Sequence, residues 1–350
     1  MFLLIIAFAI SFFFAMNIGA SGAAAAMGTA YGGGAIKKRW IAMVLVGIAA
    51  MLGAVLGGGA VVKTIGGGII ASSLLSVPIV VIILASACMT LFFANLLGIP
   101  LSTSEVTIGS VVGVGIAYHS LFAGKVLFIV TVWLVLPFIA FLIAYVIGKI
   151  LRKMRPKFHF LSKKPLIRTA LIVFLIGAGC YEAFAAGMNN VANAVGPLVG
   201  AGLISSNIAV IVGGLFVALG AVALGGKVLE TNGKKITKLS LLRGSMVSLT
   251  SGTLVIIASI FGLPVPLVQA TTMAIFGIGK ADNDLKLTKS EIVKRILKVW
   301  VISPTSALII SYILVQLFIM NDIYVLIAIL SAFIMPVGYM SIMKRKKIKS

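Results

Sequence analysis

The stretch Gly187-Met-Asn-Asn-Val-Ala-Asn-Ala-Val-Gly-Pro-Leu-Val-Gly-Ala-Gly-Leu-Ile204 places three side-chain amides inside an apolar run. The amides are Asn189, Asn190 and Asn193, and the run around them is long enough to lie within a membrane. A weaker copy near the start of the chain has its glycines in register: Gly19-Ala-Ser-Gly-Ala-Ala-Ala-Ala-Met-Gly-Thr-Ala-Tyr-Gly-Gly-Gly-Ala-Ile36. Polar side chains at membrane depth are costly, so the three amides require a reason. Since the stretch occurs twice, the sequence predicts a duplicated membrane protein with this pair at its centre.

The composition indicates an integral membrane protein built from helices. Hydrophobic residues make up 61% of the 350 residues and charged residues only 10%, and the mean hydropathy is +1.21. A water-soluble domain needs more charge to cover its surface, and barrel strands would read as alternating segments of about ten residues. We therefore predict an all-α polytopic protein embedded in the lipid bilayer, with its first helix retained as a span.

The basic residues gather in a few loops. The chain has 29 Lys and Arg against 7 Asp and Glu, a formal net charge of +22, which in a soluble protein would suggest a nucleic-acid partner. Here the clusters fit the retention of positive charge on the cytoplasmic side of a membrane, so we predict no nucleic-acid binding. The clusters are Lys37 to Arg39, Lys149 to Arg168, Lys227 to Arg243, Lys280 to Lys298 and Lys344 to Lys349. These clusters predict that the N-terminus lies on the outer side of the cytoplasmic membrane and the C-terminus on its cytoplasmic side.

About eleven apolar segments are long enough to form helices in a membrane. They cover about 2–18, 41–60, 72–96, 101–118, 126–148, 169–186, 208–225, 244–262, 265–281, 299–319 and 323–342. The duplication then predicts two repeats of about five segments each and one extra C-terminal helix. We assign 1–150 to the first repeat, 151–168 to a basic cytoplasmic linker, 169–320 to the second repeat and 321–350 to the extra helix and a basic tail.

The loops indicate that the two repeats have opposite orientations. Lys37-Lys38-Arg39 of the first copy matches the uncharged Ser205-Ser206-Asn207 of the second, as expected if matching loops lie on opposite sides of the membrane. Five segments per repeat is an odd number, so the second copy enters the membrane inverted. Inverted repeats with segments interrupted by Gly and Pro are typical of secondary transporters, whose site lies between the repeats near the midplane.

Two stretches carry donors that suit an anion. In the motif pair, the glycines and Pro197 predict broken or re-entrant helices at the centre of the protein. A broken helix offers free N–H groups and the positive end of its dipole. The alternative is that small residues let helices approach and that amides bond across them. The second stretch is Ser102, Thr103 and Ser104, which follow a Gly-x-Pro break at a helix start, where plain N-capping is the alternative.

Two of the seven carboxylates are candidates for coupling. Glu105 follows the Ser-Thr-Ser turn directly, and Glu182 lies seven residues before Asn189 on the same helix face. An ionisable residue at membrane depth is a candidate for function. His119 and His159 are isolated, so the sequence predicts no metal site and no cofactor. The sequence also shows no nucleophilic side chain paired with a general base, which argues against an enzyme.

The motif pair resembles the twice-occurring Gly-Ala-Asn-Asp-Val-Ala-Asn-Ala signature of the inorganic phosphate transporter (PiT) family. The turn from Gly98 to Ser104 is similar to the Gly-Leu-Pro-Val-Ser-Thr-Thr-His turn of that family. The resemblance covers nearly the whole chain. It implies an inverted-repeat secondary transporter for a tetrahedral oxyanion, a homodimer, with substrate held between the signature helices and the hairpin tips.

The chain departs from the family at Asp, Asn and His positions: Gly22 and Asn190 replace Asp, Ser21 replaces Asn, and Glu105 and Gln269 replace His. Losing both aspartates argues against sodium, because a hard cation prefers carboxylate oxygens. Sulfate only accepts hydrogen bonds, whereas phosphate near neutral pH keeps a proton that can be donated to a carboxylate. A site without Asp therefore suits sulfate, and the pattern resembles the sulfate permease branch of the family.

These observations lead to one functional hypothesis, sulfate import by proton symport with alternating access. The residues expected to bind sulfate or a related oxyanion are Ser21, Ser102, Thr103, Ser104, Asn189, Asn190 and Asn193. The proton is expected on Glu105 or Glu182, because an anion entering a negative interior needs a compensating cation. The alternatives are transport of phosphate or another tetrahedral oxyanion, coupled to sodium or protons, and an anion channel.

Overall fold

The computed structural model describes residues 1–96, 101–161, 164–235, 239–283 and 290–324. Within these ranges the regular structure is helical, and the extended contact is one isolated bridge between Ile70 and Leu121. The α-helices are α1 Phe2–Ile18, α2 Ala24–Ala26, α3 Gly28–Gly32, α4 Arg39–Gly57, α5 Gly59–Gly67, α6 Val77–Leu96, α7 Thr103–Ala117, α8 Ala123–Leu161, α9 Pro165–Gly200, α10 Ser206–Leu224, α11 Gly226–Lys235, α12 Leu241–Ile260, α13 Leu267–Ala281 and α14 Ser290–Phe318. The predicted all-α fold class is confirmed.

Within the described residues, 8 helical segments are long and apolar enough to cross a membrane. They are Phe2–Ala26, Arg39–Gly57, Val77–Ala94, Ala123–Met154, Pro165–Gly200, Ser206–Leu224, Leu241–Ile260 and Trp300–Phe318. The shorter helix α7 is also apolar. The polytopic architecture predicted from hydropathy is therefore confirmed, while the extra helix predicted at 323–342 lies outside the described residues beyond its first two positions.

The basic segment between the repeats is more helical than its prediction as a linker suggests. Residues 151–161 continue α8, and α9 begins at Pro165. Proline is favoured in the first turn of a helix because the N–H group that it lacks has no partner there. Much of the predicted linker 151–168 thus extends the two flanking helices.

The second motif copy lies in an unbroken helix, so the break predicted there is wrong. Helix α9 runs through Asn189, Asn190 and Asn193, contains Pro197, and ends at Gly200. Pro197 cannot donate to the carbonyl of Asn193, but membrane helices tolerate this loss where neighbouring helices pack around the site. The backbone N–H groups beside the three amides therefore remain inside the helix.

The first motif copy is interrupted. Helix α1 passes into a π-helical turn at Gly19–Ala23, and Met27 has φ −89° and ψ 1° between α2 and α3. A π-helical turn inside a helix often marks a functional site. The two copies of one motif thus have different backbones, and the broken helix predicted at the centre is found in the first copy.

Glycines let helices of one copy pack closely on helices of the other. A Cβ atom at Gly19 would clash with the carbonyl of Val217, which puts α1 against α10. A Cβ atom at Gly187 would clash with the carbonyl of Ala50, which puts α9 against α4. In the same crossed pattern, α7 packs on α14 and α13 packs on α8. The two predicted copies are thus in close contact, while their origin as repeats and their opposite orientation in the membrane stay predictions.

Candidate functional site

The start of α7 contacts the amides of α9 through two hydroxyl groups. Thr103 Oγ1 donates to Asn190 Oδ1 (3.0 Å), and Asn193 Nδ2 donates to Thr103 Oγ1 (3.2 Å). Ser104 Oγ donates to Asn189 Oδ1 (3.3 Å) and accepts from Asn193 Nδ2 (3.3 Å). Ser104, Asn189 and Asn193 have no exposed surface. Residues far apart in the chain therefore form one buried polar cluster, which we call the amide cluster: Thr103, Ser104, Asn189, Asn190 and Asn193.

The turn between α12 and α13 closes the same cluster from the other side. Asn189 Nδ2 donates to Ser259 Oγ (2.8 Å) and to the carbonyl of Leu263 (2.9 Å), and Asn189 Oδ1 accepts from the backbone N–H of Val265 (3.0 Å). The indole of Trp133 on α8 donates to the carbonyl of Pro264 in this turn (2.8 Å). Asn189 is thus held by backbone groups of the second hairpin, in a position where it joins both hairpin tips.

The remaining predicted substrate residues, Ser102 and Ser21, bond to backbone groups of their own segments. Ser102 is the N-cap of α7, and its Oγ accepts from the backbone N–H of Glu105 (3.4 Å), so N-capping explains this residue. Ser21 Oγ donates to the carbonyl of Asn17 (2.9 Å) in its own helix. Its neighbour Gly22 is closer to the cluster, because a Cβ atom built there would lie 3.4 Å from Asn190 Nδ2.

The cluster is electrically neutral but favours an anion. Helices α7 and α13 are each 15 residues long, and both start at the cluster. The N-terminus of a helix carries unpaired N–H groups and about half a positive charge. Amide and hydroxyl groups add further donors once they turn toward a ligand. The arrangement brings neutral side-chain donors and two helix N-termini together at one buried place.

The two candidate coupling carboxylates are both buried, Glu105 directly after Ser104 of the cluster and Glu182 two helical turns from Asn189. Glu105 is 2% exposed, and Oε1 of its carboxyl group accepts from Gln269 Nε2. Glu182 is 1% exposed, and its Oε1 accepts from Ser251 Oγ (2.7 Å) and Thr271 Oγ1 (2.5 Å). In the part of the chain that the structure describes, neither carboxylate forms an ion pair with Lys or Arg.

The sequence analysis did not assign Gln269, the hydrogen-bond partner of Glu105, to the site. Glu105 and Gln269 are 164 residues apart, and they occupy matching positions in the two copies. Their equivalence was visible from the alignment of the two hairpin turns, but their contact was not. Among the described residues, no group of three or more His, Cys, Asp or Glu side chains forms a candidate metal site.

Comparison with known proteins identifies the family. Residues 18–311 match the phosphate transporter family. This chain belongs to that family. It is 50% identical over 334 residues to the sulfate permease CysP of Bacillus subtilis (strain 168), with 95% of this chain and 93% of that protein covered. A solved structure described as the sodium-dependent phosphate transporter superposes with a TM-score of 0.79 at 26% identity, covering 91% of this chain and 99% of its own.

Family and fold together establish the class of protein. The chain is a multi-pass membrane transporter and not an enzyme, as its relatives are permeases and transporters. The predicted family resemblance, including its relation to a sulfate permease, is confirmed. The residues of the amide cluster come from the second signature copy and from the first hairpin tip, and the second hairpin contacts it through Asn189.

Proposed function

We propose that this protein imports sulfate across the cytoplasmic membrane by proton symport with alternating access. The observation that carries the proposal is the chemistry of the amide cluster, which consists of amides and hydroxyls without a carboxylate. Gly22 and Asn190 stand where the family signature has Asp, and Gly22 faces Asn190 Nδ2. A fully deprotonated dianion needs donors only, so a neutral donor site favours sulfate over a phosphate that carries a proton.

The proposed substrate residues divide by what their side chains already bind. Thr103, Ser104, Asn190 and Asn193 bond mainly to one another, so they are free to turn toward sulfate. Asn189 is fixed by the second hairpin and positions the others. Ser102 supports the pocket as the cap of α7, and Ser21 borders it from the first copy.

A proton is the coupling ion that fits the residues. Moving two negative charges against 100 mV costs about 4.6 kcal/mol, at about 2.3 kcal/mol per charge. The amide cluster lacks the carboxylate oxygens that a hard cation prefers. Glu105, which directly follows Ser104 of the cluster, and Glu182, two helical turns from Asn189, are buried and are the proposed proton carriers.

In this proposal the two repeats, 1–150 and 169–320, move against each other and expose the cluster to one side at a time. The crossed packing of α1 on α10 and α9 on α4 joins helices of both repeats, so such a movement has to carry each of these pairs as a unit. A homodimer is part of the proposal because the family resemblance implies it.

The alternatives are transport of another tetrahedral oxyanion and an anion channel. Phosphate is favoured by one specific observation, the likeness in fold to a protein described as a sodium-dependent phosphate transporter. Competition of unlabelled phosphate, molybdate and thiosulfate against labelled sulfate in proteoliposomes separates the oxyanions. A channel would give a sulfate conductance that no proton gradient can drive.

The decisive test is sulfate uptake into proteoliposomes without sodium. With the membrane potential clamped at zero, one pH unit supplies about 1.36 kcal/mol per proton, enough for about tenfold accumulation. We expect acidification of the outside to drive uptake. Strict dependence on sodium would reject proton coupling, and stronger competition by phosphate than by sulfate itself would reject sulfate as the substrate.

The site itself is tested by Asn190→Ala. Loss of a hydrogen bond to a charged ligand costs about 1.5–3 kcal/mol, so uptake should fall about ten- to a hundredfold while the purified protein remains monodisperse. The matched control is Asn207→Ala, because Asn207 is exposed at the start of α10. Normal uptake by Asn190→Ala would remove the amide cluster from the substrate site.

A further inference from the structure

Unsatisfied polar atoms concentrate around Glu105. Within the described residues, the buried side-chain atoms without a hydrogen-bond partner are Glu105 Oε2, Glu182 Oε2, Asn193 Oδ1, Gln269 Oε1 and Ser303 Oγ. Three of them meet at one place, because Gln269 bonds to Glu105 and Ser303 lies beside the Glu105 carboxyl group. A buried polar group without a partner destabilises the folded protein, so three at one place require an explanation.

Counting donors and acceptors supplies that explanation. If Glu105 is ionised, its Oε2 and Gln269 Oε1 are two acceptors for a single donor, the Ser303 hydroxyl. If Glu105 is protonated, the acid O–H is a second donor that can bond to Gln269 Oε1, while Ser303 donates to the acid oxygen. One proton therefore satisfies all three groups. The surroundings of Glu105 suit the neutral acid.

Glu182 has different surroundings. Two hydroxyl groups, Ser251 Oγ and Thr271 Oγ1, donate to the same oxygen of Glu182, at 2.7 and 2.5 Å. Donors directed at a carboxylate suit its charged form, and no amide oxygen is bonded to Glu182 among the described residues. Of the two buried glutamates, Glu105 has the surroundings of a group that holds a proton.

We infer that Glu105 carries the proton that accompanies sulfate, and that Gln269 is the positioning residue whose amide holds the Glu105 acid in the closed site. The inference deepens the proposed proton symport and rests on it. It assigns coupling to one pair of equivalent positions, one from each copy of the hairpin.

The location of the pair links proton release to sulfate release. Glu105 lies on α7, one residue after Ser104 of the amide cluster, and Gln269 lies on α13. Movement of one hairpin tip against the other separates the acid from the amide that accepts its O–H. Water then takes the proton from the Glu105 carboxyl group, which is left as a carboxylate. No other bond forms or breaks.

The neighbouring helices bring few other titratable groups. Helices α6, α9 and α14 pack against α7, and α13 carries Gln269. Titratable side chains described on these helices are Cys88, Arg168, Cys180, Tyr181, Glu182, Lys280 and Tyr312. None of them forms a hydrogen bond or ion pair with Glu105 in the described part of the chain.

The test compares gradient-driven uptake with sulfate exchange in proteoliposomes. Glu105→Gln mimics the permanently neutral acid, so we expect the roughly tenfold accumulation driven by one pH unit to disappear and the pH profile of uptake to become flat. Exchange of internal for labelled external sulfate needs no net proton movement and should continue. Proton-driven accumulation by Glu105→Gln equal to that of the wild type would overturn the inference.

A swapped pair provides the rescue. In the double variant Glu105→Gln with Gln269→Glu, the acid and the amide exchange places across the two copies. We expect this variant to recover proton-driven accumulation, which a merely structural role of Glu105 would not predict. Glu230→Gln is the control for loss of a carboxylate, because Glu230 forms an exposed ion pair with Arg39. A swapped variant that exchanges sulfate but ignores the pH gradient would overturn the pairing.

Two further outcomes keep the inference separate from the proposed function. If wild-type uptake ignores the pH gradient and follows sodium, proton symport itself fails. If the wild type is proton-driven and Glu182→Gln alone abolishes coupling, only the assignment to Glu105 fails. Should Glu105→Gln not yield monodisperse protein, Gln269→Met serves instead: an unchanged pH profile in that variant would contradict the positioning role of Gln269.

Discussion

Asn190 and Gly22 show how a single residue position can set the chemistry of a site. They occupy matching places in the two motif copies, and the structure brings them into contact range, with Asn190 Nδ2 3.4 Å from a Cβ atom built at Gly22. Neither side chain carries charge. An anion bound at the amide cluster as proposed would therefore meet dipoles there, and the neighbouring carboxyl group, Glu105, is the group proposed to be protonated.

This gives a prediction for Gly22→Asp. A carboxylate at this place would face the bound dianion, and like charges in a dry site cost several kcal/mol, which corresponds to about a hundredfold or more in sulfate uptake. Phosphate, which has a proton to donate to the carboxylate, should lose less and gain in competition. The matched variant is Gly22→Asn, which has the same size without the charge. Equal losses in the two variants would show that bulk and not charge is responsible.

Residue identity alone predicted most of the amide cluster. Three amides in an apolar run are expected either to form hydrogen bonds across helices or to bind a ligand. The position of Ser102 to Ser104 at a helix start could also be predicted. What the sequence could not provide was the partner of each group. The contact of Glu105 with Gln269 depends on how two hairpins meet, and the hydroxyl of Ser21 bonds to the carbonyl of Asn17 in its own helix.

At the scale of elements, close approach of helix backbones holds the two copies together. Gly53 and Gly220 repeat the pattern of Gly187 and Gly19, as added Cβ atoms at these positions would clash with the carbonyls of Phe184 and Met16. Small residues at helix contacts are the main source of packing energy in a bilayer, where burial of apolar surface between helices gains little. These contacts place α9 and α1 with little tolerance for added volume.

Gly187→Ala should therefore destabilise the transporter. Overpacking by a single methyl group in a tight contact costs about 1–3 kcal/mol, and the new Cβ would meet the backbone of Ala50, which cannot move aside alone. We expect a lower apparent Tm, measured by size-exclusion chromatography after heating. Gly177→Ala in the same helix is the control, because no atom lies within 4 Å of its added Cβ. A similar Tm for both variants would contradict the proposed role of the contact.

Hydropathy located the helices well but could not decide their continuity. The run of glycines with Pro197 reads as a break in α9, whereas the first copy, which lacks proline, is the interrupted one. A proline removes one intrahelical bond, and the surrounding helices determine whether the chain bends there. The Gly98-Ile-Pro turn was predicted from the same signals, and it lies outside the described residues.

At the scale of the whole molecule, the arrangement in the membrane is the main feature still to be measured. The contact of α1 with α10 is repeated by the contact of their predicted counterparts, α9 with α4. Two arginines of the basic clusters form ion pairs: Arg39 with Glu230 and Arg243 with Asp282. Their acidic partners thus lie among the loops predicted to face the cytoplasm. The charge asymmetry of the loops predicts which ends of the helices face the cytoplasm.

Cysteine labelling tests this topology. In a background without Cys88 and Cys180, we expect Lys37→Cys to react with a membrane-impermeant maleimide only from the inside, and Ser205→Cys only from the outside. Both positions are exposed and occupy matching loops of the two copies, so each serves as the control for the other. Labelling of both from one side would contradict the inverted orientation of the repeats.

The bond from Trp133 to the carbonyl of Pro264 gives the molecule an intrinsic optical reporter. That carbonyl belongs to the same peptide group as the N–H of Val265, which donates to Asn189. A movement of this hairpin tip would therefore change the surroundings of the indole. Of the three tryptophans, Trp40 is 64% exposed and Trp133 only 7%. Its emission should therefore shift when an anion rearranges the tip, and titration of unlabelled protein would follow occupancy without a radioactive tracer.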